Sequence, residues 1–263
     1  MKALILAAGY GTRLYALGEN TPKALLPIQD KPLVNYILDK IEKLPGLDEV
    51  LLVTNNKFYP VFEDWAKKLR ESIQGGAGPG KPSFSLPVRV VNDGTNTPEE
   101  RLGSIGDIDF VLRQTSLNDD LLVVGGDNLF DYKLDEYIVF AKERSPAVTI
   151  GLYDIKNREE AKKFGVVDLD PRKRIVSFQE KPALPKTTLI AMCFYYFPKK
   201  SLGLVSAYLS ETVKSDAAGD YIRWLHQENP VYGFQFTGKW YDIGSLEAYQ
   251  EAQENFIRRG SAR

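Results

Sequence analysis

The chain has 263 residues, of which 43% are hydrophobic and 26% are charged, and its formal net charge at pH 7 is -1. This length and composition suit one globular domain with a sizeable core. The balanced charge excludes a general electrostatic attraction to nucleic acid or to an anionic membrane, so we expect neither as a partner.

The ends of the chain and its cysteine content bear on where it works. No apolar run approaches the roughly 18–20 residues that a membrane-spanning helix needs. Met1 and Lys2 lead directly into an apolar segment, so we expect no signal or transit peptide. The lone Cys193 cannot form an internal disulfide, and the chain has no cysteine cluster of the kind that binds metals. We therefore expect a cytoplasmic protein, and a homo-oligomer is compatible with this composition.

The first 150 residues alternate short apolar runs with segments of helical periodicity. The predicted strands are Ala3–Ala7, Val50–Thr54, Val88–Val91, Leu121–Val124 and Ala147–Tyr153. The predicted helices are Leu33–Leu44, Phe58–Leu69, Ile105–Leu112 and Leu134–Glu143. Strands without polar alternation are typical of a parallel sheet that is buried on both faces. The order therefore predicts an α/β fold with a doubly wound, mostly parallel sheet, and Gln74–Pro87 is predicted to be an exposed loop.

From Phe164 onward the predicted strands lie closer together along the chain. They are Val166–Leu169, Ile175–Phe178, Cys193–Phe197 and Val231–Phe236. Helices are predicted near Leu202–Leu209 and Tyr221–Gln227, and a last helix begins at Ser245, which suits an N-cap. No internal repeat is present. We predict one domain over residues 1–263, with a β-richer second part.

A candidate phosphate site follows the first strand. Gly9 and Gly11 allow a sharp turn that exposes backbone N–H groups, and such groups suit a phosphate. Arg13 and Lys23 add full positive charge. A P-loop is excluded because no Gly-Lys pair follows, and a dinucleotide fingerprint is excluded because Leu14 occupies its third glycine position. A simple tight turn with solvated cations is the alternative interpretation.

Three short motifs in this region carry a resemblance to a known family. They are residues 9–14 (Gly-Tyr-Gly-Thr-Arg-Leu), 22–23 (Pro-Lys) and 26–27 (Leu-Pro). The stretch resembles the signature of sugar-phosphate nucleotidyltransferases. The resemblance implies a Rossmann-like core that joins a nucleoside triphosphate to a sugar 1-phosphate, with Mg²⁺ as cofactor, and releases pyrophosphate. It also implies a nucleotide-binding part at about residues 1–150 and an acceptor-binding part at about 151–263, without the C-terminal repeat lobe of longer relatives.

The same resemblance implies roles for residues of the first motif. Ala8, Gly9, Gly11 and Thr12 are expected to bind the nucleotide. Arg13 and Lys23 are expected to act in catalysis by holding the triphosphate and stabilising charge on the reacting phosphates. The charged set formed by Arg13, Lys23, Asp127, Lys181 and Asp242 argues against a protein that only binds nucleotide-sugars.

Two aspartates are candidate metal ligands. Asp127 lies in a Gly-Gly-Asp-Asn sequence after a buried strand, at the edge where open α/β sheets bind ligands. One or two carboxylates are what Mg²⁺ requires of a protein when phosphates complete its coordination. Asp242 lies in a Trp-Tyr-Asp-Ile-Gly sequence before the last helix. Either aspartate could simply close a turn, and the resemblance implies that both bind the metal and that Asp127 is catalytic.

Two further segments are expected to bind the substrates. Glu180 and Lys181 precede Pro182, and the resemblance implies that they bind the acceptor sugar and its phosphate. Cys193 stands where relatives usually have glycine, which leaves the identity of the acceptor open. The base is expected to bind at residues 92–106, where Asn96 offers a donor and an acceptor and Gly103 permits a close approach. dTTP or UTP is the favoured donor.

The expected chemistry needs no histidine. A sugar 1-phosphate is largely dianionic at neutral pH, so the nucleophile arrives deprotonated. His226 is the only histidine, and its sequence context favours packing or surface exposure. Two other functions stay open: a nucleotidyltransferase for a non-sugar phosphate, and a non-catalytic regulatory protein that binds nucleotide-sugars.

Overall fold

The computed structural model describes residues 1–12, 14, 18, 20–74, 84–212 and 218–256. It confirms the predicted α/β fold class. The strands are β1 (Lys2–Leu6), β2 (Pro27–Ile28), β3 (Lys31–Pro32), β4 (Glu49–Thr54), β5 (Val88–Asn92), β6 (Leu121–Gly125), β7 (Asn128–Phe130), β8 (Val148–Asp154), β9 (Gly165–Leu169), β10 (Ile175–Glu180), β11 (Leu189–Phe197), β12 (Val231–Phe236) and β13 (Trp240–Asp242). The helices are α1 (Leu33–Ile41), α2 (Tyr59–Gln74), α3 (Gly103–Thr115), α4 (Asp135–Glu143), α5 (Arg158–Ala161), α6 (Gly203–Glu211), α7 (Ala218–Glu228) and α8 (Leu246–Asn255).

In the described part of the chain, nine strands form one sheet. Its main path runs β10-β9-β11-β6-β1-β4-β5, and β8 and β12 extend it beside β11. The central strands β6, β1, β4 and β5 are parallel, with Leu4 paired to both Val123 and Leu51. The strands of the second part join this sheet through β11, which is antiparallel to β6. The two predicted parts therefore share a single sheet.

Both faces of the central strands are covered by helices, as a doubly wound sheet requires. Successive side chains of a strand point to opposite faces. Ile5 packs in the cluster on the side of α1, α2 and α4, whereas Leu4 packs with residues of α3, α6 and α7. All five residues of β6 are buried. This double burial explains why the central strands are continuous apolar runs.

Some element boundaries differ from those predicted. Helix α1 ends at Ile41 rather than near Leu44, because Leu44 N donates to Ile41 O in a tighter turn, although Leu44 itself stays buried. Helix α2 continues past Leu69 to Gln74. Most of the predicted exposed loop, residues 75–83, lies outside the described residues. The predicted N-cap is confirmed, since Ala248 N donates to Ser245 Oγ at 3.2 Å.

Four short strands, β2, β3, β7 and β13, were not predicted from the sequence, and the last two lie beside Asp127. β7 and β13 pair antiparallel, and Asn128 lies opposite Asp242. Trp240 Nε1 also donates to Asn128 Oδ1 at 2.7 Å. This ladder joins segments that are more than a hundred residues apart, and it lies at the carboxyl end of β6.

None of the helices in the described part of the chain combines the length and the apolar character that a membrane crossing requires.

Candidate active site

The segment after β1 forms one wall of a cavity at the carboxyl edge of the parallel strands. Gly11 has a φ of 64°, in the left-handed region that glycine adopts without strain. We call this cavity, of about 260 Å³, the loop cavity. Its described wall consists of Gly9, Tyr10, Gly11, Thr12, Leu14, Lys23, Pro98, Arg101 and Gly244. These residues include two cations and no carboxylate, so the cavity suits an anionic ligand.

The other predicted residues of the first motif differ in their placement. Thr12 is exposed on the wall of the loop cavity. Ala8 is buried, and its carbonyl accepts a hydrogen bond of 2.9 Å from Asn55 Nδ2, so Ala8 supports the loop from behind. Arg13, for which a catalytic role was predicted, lies outside the described residues.

Lys23 links the loop cavity to Asp127. It begins a short 3-10 turn after Pro22, and its Nζ lies 2.8 Å from Asp127 Oδ2. A smaller cavity of about 50 Å³ between them is bounded by Gly9, Gly126 and both charged residues. Both side chains are largely covered, with 21% of Lys23 and 31% of Asp127 exposed. The two residues therefore form a partly desolvated ion pair beside the glycine loop.

The ladder of β7 and β13 brings Asp242 beside Asp127. Asp242 pairs with Asn128, the residue after Asp127, and Ile243 N donates to Asp127 O at 3.0 Å. Gly244, two residues after Asp242, lines the loop cavity. The structure thus brings together two aspartates that were selected on separate motifs, next to the cavity that the glycine loop forms.

A second cavity, which we call the strand cavity, lies among β9, β10, β11 and α7 and has a volume of about 240 Å³. Glu180 and Lys181 lie on its wall, with Lys181 Nζ 4.0 Å from Glu180 Oε1. Burial raises the pKa of Glu180. Lys181 has a φ of 43°, an uncommon backbone conformation for a residue with a side chain, and such outliers concentrate at functional sites.

Cys193 connects the strand cavity with the two aspartates. It lines that cavity from β11. Burial raises the pKa of the Cys193 thiol to about 12, and the negative charges of Asp127 and Asp242 contribute to the rise. The strand cavity therefore ends close to the aspartates, and the loop cavity reaches the same place from the other side.

Comparison with known protein families identifies the family of this chain. The family model for nucleotidyl transferases matches residues 2–259. The chain belongs to the nucleotidyl transferase family. It is 30% identical over 250 residues to a bifunctional protein GlmU of Methanocaldococcus jannaschii, covering 93% of this chain and 51% of that protein. The chain thus spans about half the length of that relative.

Solved structures share the fold of this nucleotidyl transferase. A UDP-glucose pyrophosphorylase solved with UDP-glucose has a TM-score of 0.78 and 24% identity, with 97% of each chain covered. A Bacillus anthracis protein solved with sucrose and described as a glucose-1-phosphate thymidylyltransferase has a TM-score of 0.75 and 21% identity, covering 97% of this chain and 94% of that one. At these identities the likeness supports the fold.

The segment predicted to bind the base, residues 92–106, makes several contacts with the rest of the chain. Asn96 Oδ1 accepts from Asn56 Nδ2 at 2.7 Å, and Asn96 Nδ2 donates to Gly94 O at 3.2 Å. Gly103 begins α3 with a φ of 76°. Neither Asn96 nor Gly103 is among the described wall residues of the loop cavity, to which this segment contributes Pro98 and Arg101.

Sequence reasoning did not single out four residues of this nucleotidyl transferase at or near the loop cavity. Arg101 lies on the wall, and its charge within a Gly- and Thr-rich segment was the available signal. Tyr10 also lies on the wall, where its hydroxyl donates to Thr95 Oγ1 at 3.3 Å. Thr95 N and Oγ1 in turn donate to the buried Asp93 Oδ1 at 2.7 and 2.8 Å. Burial raises the pKa of Asp93.

The two glycines before Asp127 lie in close contact with neighbouring parts of the chain. A Cβ at Gly126 would lie 2.8 Å from Leu6 O, and a Cβ at Gly125 would lie 3.0 Å from Cys193 Cβ. Gly126 N also donates to Leu6 O at 2.8 Å. These glycines are therefore required by close packing of the protein on itself.

His226 lies on α7, and it is not among the described wall residues of either cavity. Burial lowers its pKa. Across the described ranges, no group of three or more His, Cys, Asp or Glu side chains could hold a metal ion by itself. A cation here would have Asp127 and Asp242 as protein ligands and would depend on the substrate for others.

Proposed function

We propose that this chain transfers a nucleotidyl group from a nucleoside triphosphate to a sugar 1-phosphate, giving a nucleotide-sugar and pyrophosphate. The observation that carries the proposal is the position of the Lys23–Asp127 pair and Asp242 between two cavities. The family and the nucleotide-sugar relatives support the reaction type. The same relatives favour UTP or dTTP as the donor.

The two cavities would divide the substrates between them. The loop cavity, with its glycine turn and cations, would bind the triphosphate. The strand cavity would bind the acceptor, with Lys181 on its phosphate and Glu180 on its hydroxyl groups. Because both cavities approach Asp127, the acceptor phosphate and the α-phosphate would meet there. Holding two reactants in this way removes much of the entropic barrier to the reaction.

The proposed reaction needs charge neutralisation rather than a general base. A phosphate oxygen of the dianionic acceptor attacks the α-phosphorus in line, and the bond from that phosphorus to the β-phosphate oxygen breaks. Lys23 would stabilise negative charge on the reacting phosphates. Arg13 would hold the triphosphate and the departing pyrophosphate, as predicted from its motif. No described side chain has to remove a proton.

The two aspartates fit a divalent cation. Asp127 and Asp242 are brought together by a ladder, and neighbouring carboxylates repel each other unless a cation or a proton compensates them. Mg²⁺ takes one or two protein carboxylates and fills its other positions with water and phosphate oxygens. When bound, Mg²⁺ would neutralise charge on the triphosphate and its α-phosphate. Asp127 and Asp242 would be its protein ligands.

A pyrophosphate-release assay tests the proposal. Purified protein with Mg²⁺ is supplied with UTP, dTTP, CTP, GTP or ATP, each with and without a panel of sugar 1-phosphates. We expect pyrophosphate only when a triphosphate and a sugar 1-phosphate are both present. Turnover only with amino-alcohol phosphates would favour the non-sugar acceptor. Tight binding of nucleotide-sugars without turnover would favour a regulatory protein.

A further inference from the structure

Asn55 lies behind the glycine loop, directly after β4. It is fully buried, and it is not among the described wall residues of the loop cavity or the strand cavity. Asn55 Oδ1 accepts from Phe58 N at 3.0 Å, and Asn55 Nδ2 donates to Ala8 O at 2.9 Å. Because a backbone N–H group can only donate, the atom that faces Phe58 must be the amide oxygen. The NH₂ group of Asn55 is therefore held toward Ala8.

The bond from Asn55 fixes the direction of the next N–H group along the chain. In a trans peptide unit the C=O and N–H groups lie in one plane and point in opposite directions. Ala8 O points at Asn55, so Gly9 N–H, which belongs to the same unit, points away from Asn55. Gly9 lies on the walls of the loop cavity and of the smaller cavity beside Asp127. None of the described residues accepts a hydrogen bond from Gly9 N.

We propose that Asn55 is a positioning residue for the triphosphate, because its bond to Ala8 O turns Gly9 N–H toward the phosphates. This inference rests on the proposed function, since it takes the anion in the loop cavity to be the triphosphate. If the peptide unit turned over, Ala8 O would face the phosphate oxygens as an acceptor against acceptors. A donor whose direction is set before binding spares the ligand the cost of ordering the loop.

The alternative is that Asn55 only supports the start of α2 through its bond with Phe58 N. Aspartate at this position separates the two roles, because it keeps the oxygen that accepts from Phe58 N and loses the NH₂ group. An ionised carboxylate would then face Ala8 O as a second acceptor, whereas a protonated carboxyl group could donate to Ala8 O again. Burial raises the pKa of a carboxyl group, so the donor should return at mildly acidic pH.

The experiment measures equilibrium binding of UTP and of inorganic tripolyphosphate, without an acceptor, at pH 8 and at pH 5. The proteins are the parent, Asn55→Asp, Asn55→Ala and a control, Asn56→Asp. The control adds the same charge at the adjacent residue, which is exposed and whose Nδ2 donates to Asn96 instead of Ala8.

At pH 8 we expect both Asn55 variants to bind UTP and tripolyphosphate about tenfold more weakly than the parent, or weaker still, which is the usual contribution of a hydrogen bond to a charged group. Each affinity is compared with that of the parent at the same pH, because the phosphates themselves titrate. At pH 5 Asn55→Asp should recover most of its loss, and Asn55→Ala should recover none. Asn56→Asp should bind tripolyphosphate within a few-fold of the parent at both pH values.

Four outcomes overturn the proposal: parental affinity in Asn55→Ala, no recovery of Asn55→Asp at pH 5, the same loss and recovery in Asn56→Asp, or a parent that binds neither ligand. The third would make charge, rather than the direction of the peptide unit, the cause. Thermal unfolding midpoints above the assay temperature show that the variants are folded. If Asn55→Ala does not fold, the pH dependence of Asn55→Asp decides the matter within one protein.

Failure of the proposed function is distinguishable, because it appears in the pyrophosphate assay. A parent that binds tripolyphosphate, with the expected losses in the Asn55 variants, but releases no pyrophosphate keeps the positioning role and loses the reaction. A parent that releases pyrophosphate while Asn55→Ala binds as tightly as the parent keeps the reaction and loses the positioning role.

Discussion

The two cavities on either side of Asp127 are built from different parts of the polypeptide. The loop cavity is formed mainly by segments that follow parallel strands, and the backbone of Gly9 and Gly11 supplies much of its wall. The strand cavity is formed by side chains on antiparallel strands and by the first turn of α7. Backbone donors suit any phosphate, whereas side chains decide which acceptor fits. Under the proposed function, this difference would place acceptor specificity in the strand cavity and phosphate binding in the loop cavity.

Substitutions of Asp127 and Asp242, which lie between the two cavities, should have the largest effect on turnover. Asp127→Asn and Asp242→Asn should each slow turnover by roughly 100-fold or more, because even the outer partners of metal ligands contribute 10–100-fold. Both aspartates would serve one cation, so the double variant should lose much less than the product of the single losses. The rates of pyrophosphate release by the parent, both single variants and the double variant at saturating Mg²⁺ complete this double-mutant cycle. Fully multiplicative losses would contradict a shared metal ion.

A substitution in α7 should change the strand cavity alone. A Cβ at Gly219 would lie 1.8 Å from Glu180 Oε2, so Gly219→Ala must displace that carboxylate. We expect the KM for the sugar phosphate to rise about tenfold or more, since small misplacements near a reacting group are costly. The KM for the triphosphate should stay at the parental value. Steady-state kinetics with each substrate varied in turn measures both constants.

The matched control for this substitution is Gly203→Ala at the start of α6. No atom of the described residues beyond the adjacent ones lies within 4 Å of a Cβ at Gly203. Alanine is a better helix former than glycine, so this variant should keep both KM values and its stability. If Gly219→Ala raised the KM of the triphosphate as much as that of the acceptor, the two cavities would not be functionally separate.

Cys193 reports on the contact between the strand cavity and the aspartates. Burial raises the pKa of its thiol to about 12, so little of the reactive thiolate is present at pH 8. We expect slow alkylation by iodoacetamide in the native parent and fast alkylation after denaturation. Asp127→Asn removes a nearby negative charge, so it should lower the thiol pKa and speed alkylation by up to about tenfold.

The control for the thiol measurement is Asp119→Asn, which removes an acidic residue bonded to the chain's N-terminal amine instead. Its alkylation rate should match that of the parent. Equal rates in Asp127→Asn and the parent would show that the charge of Asp127 does not reach the thiol, and the two cavities would then be less closely joined than their geometry indicates.

The difference between local sequence patterns and tertiary contacts explains how much could be predicted from the sequence. The α/β fold and the loop after β1 follow from local patterns: an apolar run such as Leu4–Leu6 and a glycine turn each have a single physical meaning in their context. The pairing of β7 with β13 could not be predicted, because three-residue strands carry no periodic signal. Its consequence, the proximity of Asp127 and Asp242, was expected only through the resemblance.

Residues whose contacts depend on tertiary placement were the ones that the sequence described least well. Arg101 lies on the wall of the loop cavity, and no local pattern in the sequence indicates that position. Asn96 was selected for its hydrogen-bonding capacity, yet Asn56 and Gly94 use that capacity. Gly125 is explained by close packing, since a Cβ there would lie 2.5 Å from Asn128 Nδ2 and 3.0 Å from Cys193 Cβ. Side-chain chemistry alone does not show which partner a group will find.

The smallest expected effect is at His226, outside the described walls of both cavities. His226→Ala should keep the turnover rate within a few-fold of the parent between pH 6 and pH 8, because the acceptor phosphate arrives already ionised. A general acid or base would be worth about 10²–10⁴-fold.

Burial lowers the pKa of His226, so the folded state disfavours the charged form. Stability from the neutral ring is therefore present above its unfolded pKa and is lost as pH falls toward the lower folded pKa. The thermal unfolding midpoint of the parent should fall over that range more than that of the variant. If a folded variant instead turned over about two orders of magnitude more slowly, a proton transfer would have been overlooked.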